Sequence, residues 1–390
     1  MKYATQNMVC IRTLVVGITG LACLISQVHA QSSWSVEPVP SLVIGGDQPE
    51  QGHELHRVVA ATRLSDGRIV VANASTSELR YYDVAGSLVS VAGRDGDGPG
   101  EFRSIWDMIR LPGDTLLILA RSPGLTWLGP DGDFVRQIRL DYVGARLPCM
   151  LFEAGVAPLP NARLLLRYER HHRTPDCGAV PAGVSREAGL VAIYDPATRI
   201  LDTLITLPGT ERDGRDYRLH GRLLLGVADS HTVYVAETGG ESVFMFGLDG
   251  RRRGTFSVPT PALPIPEDAK TEPGRQLPFR GESDVSYPTD YPRFSQMMVD
   301  GVGLLWLMEY PAVMQPVRSW TFTNPRNFQA VTELARWDVL DREGDVVASV
   351  AVPGNIFPFE IGTDYVLGLA KDAFDVESVV VHGLGRTRTR

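Results

Sequence analysis

Residues 89–120 read VSVAGRDGDGPGEFRSIWDMIRLPGDTLLILA, and this stretch decides the fold. It divides into an outgoing strand, a Gly/Asp/Pro loop, a strand over residues 104–111, a tight turn at Pro112-Gly113-Asp114 and an apolar strand over residues 115–120. The strand–turn–strand part recurs along the chain. Copies are TRLSDGRIVVA at 62–72, IRLPGDTLLIL at 109–119, APLPNARLLLR at 157–167, GVADSHTVYVA at 226–236, MMVDGVGLLWL at 297–307 and FEIGTDYVLGL at 359–369. Asp, Gly, Asn and Pro supply the turn chemistry in each.

A second turn marks the outer half of each unit: DVAG at 83–86, PDG at 130–132, DPAT at 195–198, LDG at 248–250 and DREG at 341–344, each followed by a strand. Five such turns stand against six of the first kind, so one outer strand is missing from the C-terminal end. VEPVPSLVI at 36–44 is the natural candidate. Pro38 and Pro40 forbid a central strand but suit an edge, and the outermost strand of a blade is an edge. Six units of four strands, with the N-terminal strand completing the last unit, predict an all-β, six-bladed β-propeller of four-stranded antiparallel blades.

Gly96-Asp97-Gly98-Pro99-Gly100-Glu101-Phe102, followed by strand, turn and apolar strand, resembles the NHL-type repeat of six-bladed propellers, and the chain looks like the broad group of bacterial secreted propellers. The full motif occurs once; the loop at 45–52 is a degraded copy. The competing architecture is a pair of β-sandwich domains, with the Pro-rich segment 259–281 as linker.

The 390 residues, 44% hydrophobic and 22% charged, suit a globular chain with a substantial core. A formal charge of −8 argues against nucleic acid as partner. Residues 1–30 read as a signal peptide: Lys2 and Arg12, an apolar run over 13–26, and Val28-His29-Ala30 as cleavage site. The run is too short to span a bilayer as a stable helix, so no transmembrane span is expected after its removal. Gly20-Leu21-Ala22-Cys23 offers the less favoured alternative of a lipid anchor at Cys23. Export places residues 31–390 outside the cytoplasm, in the periplasm, on the cell surface or secreted. There the two remaining cysteines, Cys149 and Cys177, are expected to form a disulfide.

Roughly 60 residues per blade exceeds the roughly 40–50 of a compact propeller repeat. The surplus is expected near 170–186, 259–292 and 310–330. These are the connections between second and third strands or between blades, and in a meander both kinds emerge on one face. Arginine and aromatic residues crowd there. Tyr291, Arg293, Trp320 and Arg170, with His56 at a strand entrance, are the candidate ligand-binding residues.

The resemblance to propellers also implies a second use, since some are metal-dependent lactonases and lyases with an ion at the channel mouth. Asp107 and Glu153, on innermost strands, would be the calcium ligands and His56 the general base. No cofactor is otherwise expected. Asp95-Gly96-Asp97-Gly98 lacks the frame of an acidic calcium loop, and no nucleophile elbow, phosphate loop or zinc helix occurs. The sequence is therefore read as an exported binding or interaction module for a small molecule, glycan or protein. A metal-dependent hydrolase or lyase, lactonase-like, is the alternative.

Overall fold

A computed structural model describes residues 34–46, 54–122, 124–139, 149–170, 177–179, 184–213, 216–217, 224–229, 231–267, 289–311 and 333–386. The signal segment with Cys23 and the candidate Trp320 lie outside these residues. The protein is a six-bladed β-propeller. Its innermost strands are Val58–Arg63, Arg103–Arg110, Met150–Leu159, Leu224–Ala228, Phe294–Val299 and Ile356–Ile361, each opening an antiparallel meander that runs outward. Blade 3 carries an added two-residue strand, Asp216–Tyr217, beyond its fourth.

The last blade is closed by the N-terminal segment. Trp34–Val36 and Leu42–Gly45 both pair antiparallel with the outer C-terminal strand Glu377–Arg386, in the registers Trp34↔Arg386 and Leu42↔Val381. The expected single strand over 36–44 is split in two. Pro38 and Pro40 cannot donate, so only Glu37 and Ser41 bond across the gap, at 2.8 Å each, to the carbonyls of Gly383 and Val381.

The second strands explain the apolar runs of the repeat. Ile69–Asn73 and residues 116–120 of Leu116–Ser122 alternate sides, yet neither side meets water. Val70 and Ala72 pack against blade 2, while Ile69 and Val71 pack against blade 6. The same division yields six hydrophobic clusters, one at each blade–blade interface around the ring. Burying a side chain such as Val70 or Leu117 fully contributes roughly 1.5–3 kcal/mol, and no blade could bury both faces alone. This continuous ring excludes the pair of sandwiches.

Two of the outer turns are built alike, and the turn between the second and third strands of blade 6 copies them. Asp83 and Asp341 in the former and Asp372 in the latter each accept two backbone N–H bonds onto one carboxylate oxygen, from the residues two and four positions on. This is the side-chain mimicry of a turn that makes Asp favourable there. The glycine closing several outer turns has a second duty. Gly86, Gly132 and Gly344 hold φ of +86°, +90° and +89°, and each abuts the preceding blade: Leu42, Ala92 and Phe256 respectively.

The Gly96–Phe102 loop is likewise structural. Glu101 folds back to accept from Gly98 N–H at 2.9 Å and from Arg94, occupying the space a side chain at Gly96 would need. Phe102 is fully buried between blades 1 and 2. The resemblance to the NHL-type repeat thus rests on a loop whose residues wedge two blades together.

Candidate functional site

The ring has two unlike faces. On one, the turns between first and second strands and between third and fourth strands are tight. On the other, three connections are long: from Arg170 to Val184 in blade 3, from Ser257 to Phe294 between blades 4 and 5, and from Glu309 to Leu334 in blade 5.

The roots of these three connections are tied to one another and to the ring. Cys149, at the entrance of blade 3, forms a disulfide with Cys177 in the first of them. Arg170 lies 3.4 Å from Glu187 and donates to the Cys177 carbonyl at 3.4 Å. Arg186 pairs with Glu237 of blade 4 at 2.8 Å and donates to the Pro208 and Gly209 carbonyls. Thr238, next in sequence to Glu237, offers its carbonyl to Arg293 N–H at 2.8 Å. The Arg293 guanidinium then bonds the Thr260 carbonyl at 3.0 Å and the Glu241 carboxylate at 2.9 Å. Residues 263–265 and 289–291 pair antiparallel, and the Tyr291 ring stacks on Tyr310 with centroids 5.6 Å apart.

The structure thereby brings Tyr291 and Arg293 together, as anchors. Tyr291 is 7% exposed and belongs to the blade 5–6 core cluster. The Arg293 side chain is 15% exposed and engaged at both ends. Arg170 keeps 46% of its side-chain surface. His56 is exposed at the entrance of blade 1, its backbone N–H donating to the buried Asn73 at 2.9 Å. It sits far along the ring from the blade 3–5 sector. Arg57, Ser104 and Cys149 hold φ of 57°, 53° and 64° where the chain enters blades 1, 2 and 3, a conformation costly for residues with a Cβ.

Closing the loop between Cys149 and Cys177, 28 residues apart, contributes about 3 kcal/mol in the chain-entropy account. Cys177→Ser is expected to lower unfolding free energy by that amount in denaturant titration. An unchanged midpoint would mean that the disulfide constrains nothing the ring does not already hold.

Asp107 sits on the innermost strand of blade 2, just after a register shift between Ile105 and Asp107. Five of the six innermost strands carry such a shift. Bulges re-aim side chains at barrel rims and sites. Asp107 retains some solvent contact yet lies deep in the protein mass, as the wall of a narrow channel requires. Burial pushes its carboxyl from 3.8 up to about 7, against a single opposing bond from Met108 N–H at 2.8 Å. No neighbouring charge contributes. Glu153 is on the adjacent innermost strand, opposite Arg167 in register. Among the described residues no three His, Cys, Asp or Glu side chains gather closely enough to hold a metal ion. Calcium takes six to eight oxygens, and the described residues around Asp107 bring no such set together.

No protein-family profile matches the chain, and no curated protein matches it. Solved structures do. A DUF4221-family protein from Bacteroides vulgatus is 10% identical with a TM-score of 0.52, covering 92% of this chain and 100% of its own. A candidate exported protein from Bacteroides fragilis is 12% identical (TM-score 0.46, 93% and 98% covered). The calcium-binding protein regucalcin from Agrobacterium tumefaciens is 13% identical (TM-score 0.41, 86% and 93% covered). At such identities the likeness speaks to the fold alone.

Proposed function

We propose that the protein is an exported binding module whose loop-bearing face, over blades 3 to 5, recognises a small molecule, glycan or protein. The observation that carries this reading is the cross-anchoring of three long connections at their roots. Disulfide, guanidinium clamps and the Tyr291–Tyr310 stack hold the roots of these connections in place. Rigid roots lower the ordering cost of binding, which is where affinity is otherwise lost. A disulfide fits an extracytoplasmic site. Among the described residues no helix is long and apolar enough to cross a membrane.

The test uses glycan and peptide arrays probed with the exported chain. At least one class should bind, and binding should be lost in an Arg170→Ala/Trp320→Ala variant that keeps the wild-type melting temperature. Arrays without a saturable hit, or hits indifferent to those substitutions, would overturn the reading.

A second reading, acid–base chemistry in the channel, is favoured by Asp107 alone. A carboxyl titrating near neutrality can both give and take a proton at the working pH. Lactone or ester turnover that disappears in Asp107→Asn would put this reading first. Turnover surviving the substitution, or none at all, would remove it.

A further inference from the structure

The opposite face, the one made of tight turns, carries a cavity of about 690 Å³ at the channel mouth. It is walled by the first turns of blades 1 to 5 and by Arg342 from the outer turn of blade 5. This volume lies within the range of small-ligand pockets, about 300–1,000 Å³. Leu111, Leu159 and Val299 supply apolar wall; the charged groups decide what it would hold.

Three aspartates line the cavity, and each has its oxygens occupied. Asp300 accepts from Val302 and Leu304 N–H at 3.0 and 2.9 Å and from Trp306 Nε1 at 2.8 Å. It also pairs with Arg386 at 2.9 Å, and its side chain has no exposed surface. Asp229 accepts from His231 and Thr232 N–H at 2.6 Å and is 8% exposed. Asp114 takes two bonds from Ser65 and is 15% exposed. Burial alone would raise the Asp114 carboxyl; the bonds from Ser65 and Arg110 reverse that and hold it below its ordinary value, ionised and satisfied.

The arginines are placed the other way round. Arg110 meets Asp114 at 3.3 Å and Glu360 at 3.6 Å, yet 35% of its side chain is exposed. Arg342 meets Asp229 at 3.3 Å and is 52% exposed. These are long, single-point contacts for a group that carries five donors in a planar fork. The carboxylates orient the guanidinium groups without using them up. The surface a ligand meets is therefore N–H rich, with the negative charge set behind it.

We propose that this cavity binds a small organic polycarboxylate, with carboxylates on the exposed edges of Arg110 and Arg342 and its carbon skeleton against Leu111, Leu159 and Val299. The planar fork of arginine matches a carboxylate in bidentate fashion. Arg110 stands on blade 2 and Arg342 on blade 5, both lining the same cavity, so a ligand that engages both must carry two acidic ends. The site lies on the face opposite the one proposed above, so the two proposals stand or fall separately.

Citrate titrated into the exported chain at low ionic strength, followed by calorimetry, should show saturable binding. Arg342→Gln, which removes a half-exposed side chain from a turn, is expected to weaken it by about tenfold, a usual loss for one charge-assisted contact. Arg110→Gln should do the same, and Arg170→Ala on the other face should change nothing. No heat up to roughly 10 mM citrate, where a Kd of about 1 mM would be largely saturated, would overturn the proposal. So would citrate binding with wild-type affinity in Arg342→Gln. Inorganic phosphate binding where citrate does not would overturn the carboxylate assignment.

Discussion

Gly344→Ala is expected to destabilise the propeller by about 2–5 kcal/mol, combining a left-handed backbone penalty of about 1–2 kcal/mol with overpacking of about 1–3 kcal/mol. Gly344 holds φ +89° in the outer turn of blade 5. A Cβ there would overlap the Cβ of Phe256 on blade 4 and lie 2.5 Å from its Cγ. Phe256 is 9% exposed within the blade 4–5 cluster, so it has little room to retreat. Gly113→Ala separates the two contributions. Gly113 holds φ +75°, but a Cβ there would meet nothing within 4 Å. It should cost only the backbone share, about 1–2 kcal/mol. Equal losses for the two variants in denaturant titration would show that strain, and not blade contact, selects glycine at Gly344.

Asp107→Asn is expected to stabilise the fold at pH 8 and to change it little at pH 4. Below the ordinary carboxyl value of 3.8 the group is protonated in both folded and unfolded chains and contributes no difference. Between there and about 7 the unfolded chain ionises while the folded one keeps its proton. Unfolding then releases a proton, so stability falls as pH rises through that window and stays lowered above it. A shift of this size sets a ceiling of about 4 kcal/mol. Because the side chain keeps partial solvent contact, a gain of about 2 kcal/mol for the amide at pH 8 is the expected outcome. Unfolding free energies of the two proteins measured from pH 4 to pH 8 should diverge as pH rises. Curves that run parallel would mean Asp107 ionises normally in the folded state.

The architecture was legible because its signals are local. Asp83, Asp341 and Asp372 bond their own turns, so their meaning is complete within five residues. The runs IVVA and LLILA are apolar on both faces, as a strand sandwiched between blades must be. The gap in the count of outer turns pointed to the N-terminal strand, and the two prolines there marked an edge, though not the break they impose between Val36 and Leu42.

The sites were less legible. Arginine and aromatic residues in a long connection suggest ligand contact, but the same residue types serve as anchors. Sequence could not tell that Arg293 clamps Thr260 and Glu241 or that Tyr291 stacks on Tyr310. From its place on an innermost strand, Asp107 reads in the sequence as a candidate metal ligand. Its unusual proton affinity comes from the mass of protein around it, which no short stretch encodes. Arg110 and Arg342 carry no signal in the sequence, because each looks like an ordinary arginine beside a turn.

By itself the sequence determined the turns, the strand periodicity, the six-fold repetition, the N-terminal closure and the pairing of Cys149 with Cys177. Only the tertiary structure decided which arginines are spent on anchoring and which face a cavity, and where a carboxyl is starved of water. Turn and strand preferences are set by bonds and packing within a few residues. Burial and electrostatic environment are sums over every blade that closes around a group, and so exist only once the ring has formed.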